Sequence, residues 1–321
     1  MNHLPTLKEN FVFCLKLARL INRERTIAKM TMCNSARRSR GELLAKFAFR
    51  IFVFLSIFLI TEISFPIFAK EKNSKNKVFI VTYHKIGNED TEYTRSRESF
   101  RNDLNLFFSK GFVPISVLEF ASGKFEIPQD KKPILLTFDD SSISQMEYTP
   151  EGKLDPNCGL GILEEFIKSH PQFRRKAVFF ITPGAKSPND LFGQKKFTKS
   201  KLEFLYANGY EVENHTLWHA NLKKYSAKIE EQVVKANLEL QKYFPEKKME
   251  FLALPFGIYP PEKEIPRLKK GNYKGIAYEH KLVFDYTNKL SLHPNDPDFD
   301  PMRVHRIHGN SKSISRALSE F

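Results

Sequence analysis

From residue 77 onward short apolar runs alternate with amphipathic helical patterns, and the most reactive side chains fall just after the runs rather than inside them. This alternation predicts parallel strands joined by crossover helices. In a parallel α/β barrel the carboxyl ends of the strands converge on one face, where active sites are built. The strand-like runs are Val78–Tyr83, Pro133–Phe138, Ala177–Thr182, Tyr210–Glu213, Phe251–Leu254, Gly275–Tyr278 and Arg303–Ile307. Helical patterns cover Ser99–Lys110, Phe197–Ala207 and Ser226–Phe244, the last with Ile229, Val233, Leu238 and Tyr243 near one stripe. Ser141–Gly159, with Pro150, Gly152 and Pro156, reads as an irregular insertion of the kind that shapes a cleft.

Composition narrows the class. With 41% hydrophobic residues and 30 Phe in 321 residues, the chain can bury a large core. Of its three cysteines only Cys158 lies beyond the N-terminal segment, so neither a disulfide framework nor a zinc–thiolate cluster is available. Residues 1–69 hold 11 Lys/Arg against 4 Asp/Glu, leaving 40 against 33 for residues 70–321, so half of the net +14 sits in the N-terminal segment. No basic run carries interleaved aromatics, which argues against nucleic acid as a partner.

The N-terminal segment has the parts of an export signal. Arg37, Arg38, Arg40 and Arg50 precede the apolar stretch from Ile51 to Ile60, and Ala69 supplies a small residue at a cleavage position. Met30 or Met32 would give a more ordinary start. The apolar core is short for a membrane span and Glu62 interrupts it, so residues 47–68 read as a cleaved signal or as an uncleaved anchor. Residues 70–77 form a polar linker and residues 78–321 a single domain. Either reading exports that domain to the periplasm, the cell envelope or the medium, with membrane contact only through the N-terminal segment.

Thr137-Phe138-Asp139-Asp140 ends one apolar run, and His215-Thr216-Leu217-Trp218-His219 follows another. Adjacent Asp residues are usually turn formers, and an i,i+4 His pair arises easily by chance. Together on one barrel face they offer three ligands for a divalent ion and one free carboxylate beside it. Three protein ligands leave a coordination position for water, the layout of a hydrolytic site. A metalloprotease is disfavoured, because Thr216 stands where its usual motif places Glu.

These two motifs, with Leu254-Pro255-Phe256-Gly257, resemble the first three motifs of the polysaccharide deacetylases, the NodB-homology or carbohydrate esterase family 4 enzymes. The resemblance runs from about Val78 to about Ile307. It implies an α/β fold, a distorted (β/α)7–8 barrel that removes acetyl groups from N-acetylated sugars with one divalent metal ion, zinc ahead of cobalt or nickel. It makes Asp139 the general base, Asp140, His215 and His219 the metal ligands, and the backbone N–H of Phe256 an oxyanion donor. The substrate it implies is an N-acetylglucosamine-containing polysaccharide of the cell envelope or matrix.

Three departures bear on activity. Ser141 replaces the usual Gly after the Asp pair, Ala253 stands where an Arg normally orients the base, and no Trp remains for the fourth motif. The A-x-P-F-G form resembles the poly-N-acetylglucosamine deacetylase subset, in which a Tyr-His on the first strand is thought to act as the acid. Tyr83-His84 matches it, making His84 the candidate general acid. His293 in Leu290-Ser291-Leu292-His293, His305 and His308 are the other candidates. The competing expectation is a catalytically weak or inactive carbohydrate-binding homologue, as Ala253 allows.

Overall fold

The computed structural model describes residues 76–321. The N-terminal segment and most of the linker lie outside them. Among the described residues no helix is long and apolar enough to cross a membrane.

Thirteen strands are assigned in this region: β1 (Lys77–Tyr83), β2 (Lys85–Gly87), β3 (Thr94–Ser96), β4 (Phe112–Pro114), β5 (Lys132–Asp139), β6 (Val178–Ile181), β7 (Glu211–Asn214), β8 (Phe251–Ala253), β9 (Lys270–Tyr273), β10 (Ile276–Glu279), β11 (Leu282–Phe284), β12 (Ser291–Leu292) and β13 (Ile307–His308). The principal sheet runs β11-β8-β7-β6-β5-β1-β12, with β13 also on β1 and β4 also on β5. All its pairings are parallel except β1 with β12. Beyond β11, Val304 bridges Phe284, and Ile307 pairs with Val81 on β1. The segment 304–308 thus touches both ends of the run of parallel strands, and the sheet curls into the expected (β/α) barrel.

Side-chain parity sorts the core into layers, because successive strand residues face opposite ways. Val78, Ile80, Leu135, Val178, Phe180, Phe251, Ala253, Phe284 and Val304 pack together inside the curl. Phe79, Val81, Tyr83, Leu136, Phe138, Phe179 and Ile307 pack outward against the helices. Continuing the inner series along each strand gives Thr82 and His84, Thr137 and Asp139, and Arg306. The same alternation that builds the barrel therefore carries those polar residues to its carboxyl mouth.

The helices are α1 (Arg97–Ser109), α2 (Val117–Ser122), α3 (Gly159–Ser169), α4 (Thr198–Ala207), α5 (Ile229–Gln241), α6 (Pro266–Lys269) and α7 (Ser311–Glu320). Ser96 caps α1 through the Ser99 N–H, and Ser116 and Glu119 form a capping box on α2. The predicted 226–244 helix is a 3₁₀ turn at Ser226–Lys228 followed by α5. Its buried stripe is Ile229, Val233, Ala236 and Leu240, while Leu238 faces solvent, 40% exposed.

Two strand expectations need correction. The run Gly275–Tyr278 is not a barrel strand: Ile276–Glu279 pairs only with β9 in a two-stranded ribbon, and β11, four residues on, takes the place beside β8. Of Arg303–Ile307 only Ile307 joins a strand, with Val304 making a single bridge. Length was the missing information, since each of these edges is only two to four residues long.

Candidate metal and acyl-transfer site

Asp139 ends β5 at 2% exposure, yet its charge is matched. Arg306, fully buried, donates from its two terminal guanidinium nitrogens to the two carboxylate oxygens at 2.8 Å each. Burial alone would push the Asp139 carboxyl up. The Arg306 guanidinium and then the His215 imidazole outweigh it, holding the group below its ordinary value. Arg306 also donates from Nε to the Asp285 carbonyl at 2.7 Å, which fixes the plane of the fork.

Asp140 turns the other way because its backbone leaves the strand, with φ 80°. Its Oδ1 lies 3.3 Å from His215 Nε2 and 3.2 Å from His219 Nε2. One ligand atom from each of the three residues lies within 4.8 Å of the others. His215 donates from Nδ1 to the Ala253 carbonyl at 2.8 Å; since a carbonyl only accepts, the Nε2 lone pair faces Asp140. Asp140 Oδ1 and His215 Nε2 are both buried and without a hydrogen-bond partner. Two orphaned acceptors aimed at one point, with a third beside them, fit a bound cation and little else. His219 and Asp140 keep 29% and 18% of their side chains exposed, so the open side of the set faces the cleft.

The local charges agree with the geometry. Burial pushes Asp140 up, but the imidazole of His215 close beside it, with His84 and His219, holds it far below its ordinary value. Burial likewise lowers His215, and Asp139 and Asp140 together raise it. His219 is pushed down to about 4 by burial and by His215, which leaves it neutral and ready to ligate at neutral pH.

Backbone strain gathers here. Asp140, Ser141, Thr216, His219 and Phe256 all have positive φ, costly conformations that persist where the surroundings over-determine them. Ser141 holds φ 53°, and its hydroxyl donates to the carbonyls of Asp140 and Asn189. Asn214 accepts from the Thr216 N–H at 2.6 Å and is tied to Val233 and Asn237 of α5, so the turn between the two histidines is anchored. Phe256 lies in the turn after β8, 56% exposed as a residue, with its ring packed against His219. Gly257 after it is required: a Cβ there would meet the Tyr286 backbone nitrogen at 2.5 Å.

His84 is the first residue after β1, with its ring against Tyr286 and Tyr93. Burial lowers its pKa, opposed by Asp139 and Asp140, the charges it faces. The other acid candidates make different contacts. His293 sits at the opposite end of β1, its N–H donating to Asn76, roughly 20 Å from the mouth by strand rise. His305 carries the outward parity and pairs with buried Asp285 at 2.7 Å. His308 stacks flat on Tyr286.

Sequence reasoning missed two residues of the site. Arg306 was passed over inside Val304-His305-Arg306-Ile307-His308, where a charge at an inward position of a half-apolar run was the available signal. Gln145, fully buried, donates to the carbonyls of His84 and Asp139 and so ties β1 to β5. Nothing in the sequence distinguished it from the rest of the insertion.

A curled parallel sheet that gathers an Asp–His–His donor set and a charge-clamped carboxylate at its carboxyl ends defines a (β/α) barrel with a candidate metal site. Within that class, residues 126–275 match the family model of the polysaccharide deacetylases. That span holds Asp139, Asp140, His215, His219 and Phe256 but neither His84 nor Arg306. The fold is similar to that of a polysaccharide deacetylase from Bacillus cereus (18% identity, TM-score 0.55, covering 76% of this chain and 69% of that one). It is also similar to the deacetylase PplD of Streptococcus pyogenes, solved in complex with acetate (19% identity, TM-score 0.54, covering 75% and 98%). A third likeness is to IcaB from Ammonifex degensii (15% identity, TM-score 0.53, covering 76% and 97%). At these identities the likeness is one of fold. No curated protein sequence matches the chain.

Proposed function

We propose that this protein is an exported, metal-dependent hydrolase that removes N-acetyl groups from an N-acetylglucosamine-containing polysaccharide of the cell envelope or matrix. The observation that carries the reading is the division of labour between adjacent carboxylates. Asp140 converges with His215 and His219, while Asp139, 3.9 Å from His215 Nε2, gives both its oxygens to Arg306.

Asp140, His215 and His219 would hold the cation, with zinc the best match to two imidazoles and a carboxylate, and cobalt or nickel suited as well. When bound, a divalent ion at such a site acidifies a water and polarises the amide carbonyl. Asp139, kept ionised by Arg306, accepts the proton of the attacking water and cannot swing away while both its oxygens are bonded. The backbone N–H of Phe256 stabilises the developing oxyanion. His84, facing Asp139 and Asp140, delivers a proton to the departing amine nitrogen.

The competing reading, an inactive carbohydrate-binding homologue, drew on Ala253 in place of a base-orienting Arg. Arg306 supplies that guanidinium from another strand, which favours the enzyme. Export rests on residues 1–69 alone, as a cleaved signal or an anchor at 47–68, and fractionation of cells expressing the full chain tests it. For activity the measurement is acetate release from N-acetylglucosamine oligomers. Asp139→Asn should lower the rate by about 10²- to 10⁴-fold. Equal traces from wild type and variant would leave the hydrolase reading without support.

A further inference from the structure

The segment after β1 packs against His84 through Tyr93. Residues 85–96 leave β1 as β2, loop back through 88–93 and run parallel to β2 as β3, with Lys85 paired to Thr94 and Gly87 to Ser96. The arm is held firmly. Arg95 is buried and grips Asp103 through Nε at 2.8 Å and Nη2 at 2.6 Å, and Tyr83 donates to the same carboxylate at 3.0 Å. The Lys85 N–H donates to the Tyr93 carbonyl at 3.0 Å, and Asp90 accepts from Ser96 N–H and the Ser99 hydroxyl. A buried, bidentate ion pair makes an expensive anchor for a loop unless the position of the loop matters.

What the anchor fixes is a ring. Tyr93 is 50% exposed, and its centroid lies 5.6 Å from that of His84 at 76°. Tyr286 closes the other contact on His84 at 5.2 Å and is backed by His308 stacked at 3.6 Å. His84, Glu92, Tyr93 and Tyr286 line one small cleft. Few large hydrophobic side chains are exposed among the described residues, and two of them, Tyr93 and Phe256, each lie against an imidazole of the site.

We propose that the exposed face of Tyr93 is the platform on which the pyranose bearing the acetamido group stacks. The choice of ligand rests on the deacetylase reading. If His84 passes a proton to the departing nitrogen, the sugar ring carrying that nitrogen must lie within a bond or two of His84, and Tyr93 is the exposed aromatic face beside it. A pyranose offers an apolar face of C–H groups and a rim of hydroxyls; an aromatic ring covers the first, and the carboxylate of Glu92 in the same cleft accepts from the second.

The test is calorimetric titration of the full chain with N-acetylglucosamine pentamers of chitin type and of poly-N-acetylglucosamine type, alongside acetate-release kinetics. Tyr93→Ala should weaken binding about tenfold and raise KM with much less change in kcat. Tyr93→Leu, which keeps apolar bulk on the arm, should bind as weakly, and Tyr93→Phe should bind like wild type. The proposal is overturned if Tyr93→Ala or Tyr93→Leu binds within twofold of wild type, if Tyr93→Phe is as weak as Ala, or if kcat alone falls. The first shows no platform, the second a hydroxyl contact, and the third mere support of His84. Failure of wild type to bind either pentamer also overturns it. Tight, Tyr93-dependent binding without acetate release would instead sink the deacetylase reading and leave the platform standing.

Discussion

Arg306 has the most to lose from a single change. Its fork satisfies Asp139, and Thr137 and the Asp285 carbonyl take its remaining reach. Arg306→Ala leaves a buried carboxylate unpaired, which costs about 3–5 kcal/mol. Arg306→Lys keeps the charge but loses the bidentate geometry and should fall between the two. The sign follows from linkage. With Asp139 held below its ordinary value, the stabilisation is present above the unfolded pKa of 3.8 and is lost as pH falls through the folded one. The gap in melting temperature between wild type and Arg306→Ala should therefore be widest near neutrality and close below pH 4. In the variant, burial pushes Asp139 upward unopposed by the guanidinium, so the acid limb of the pH–rate profile should move to higher pH. An unmoved limb would mean that Asp139 is not the base. Metal content gives a separate check: about one divalent ion per chain, lost from the His215→Ala/His219→Ala double variant.

The decisive element is the turn from β7 into residues 214–220. Sequence spacing alone makes an i,i+4 pair of imidazoles neighbours only on a helix, and this segment is not one. His215 follows an extended strand, and Thr216 and His219 then take left-handed backbone. Asn214 makes that path possible by capping the Thr216 N–H and reaching into α5, and the Thr216 hydroxyl accepts from the Ala220 N–H. Asn214→Ala should thus weaken metal binding by about tenfold or more in a competition assay with a chromophoric chelator, although Asn214 is not itself a ligand. Unaltered affinity would show that the strand and α5 hold the turn without it. The three residues that could hold a cation were legible in the sequence, because motif residues sit close together in the chain. The turn was not, because its shape depends on a helix about 20 residues downstream.

Across the whole molecule, buried ionisable groups decide how the fold answers to pH. His280 is fully buried away from the site, bonded through Nδ1 to the Leu268 carbonyl and lowered to about 4 by burial. A depressed histidine contributes stability above its unfolded pKa of 6.5, lost as pH falls through about 4. The full effect is on the order of 3 kcal/mol. His280→Phe should flatten the fall in melting temperature between pH 6.5 and 4 while leaving acetate release untouched; a parallel fall in both proteins would rule His280 out as its source.

Strand–helix alternation, the paired aspartates and the two histidines are local patterns, so the chain order alone determined a parallel α/β barrel and the three residues able to share a cation. The partner of Asp139 was beyond its reach. Ala253 left a gap where an arginine was expected, and Arg306 fills it from 167 residues beyond Asp139. That contact exists only because β13 pairs with β1 and places residue 306 on the inner parity of a closed curl. Tyr93 over His84 depends in the same way on a buried ion pair that no periodicity announces. Side-chain pattern chooses which face of a strand a residue occupies; only the pairing of distant strands decides which residues meet across it.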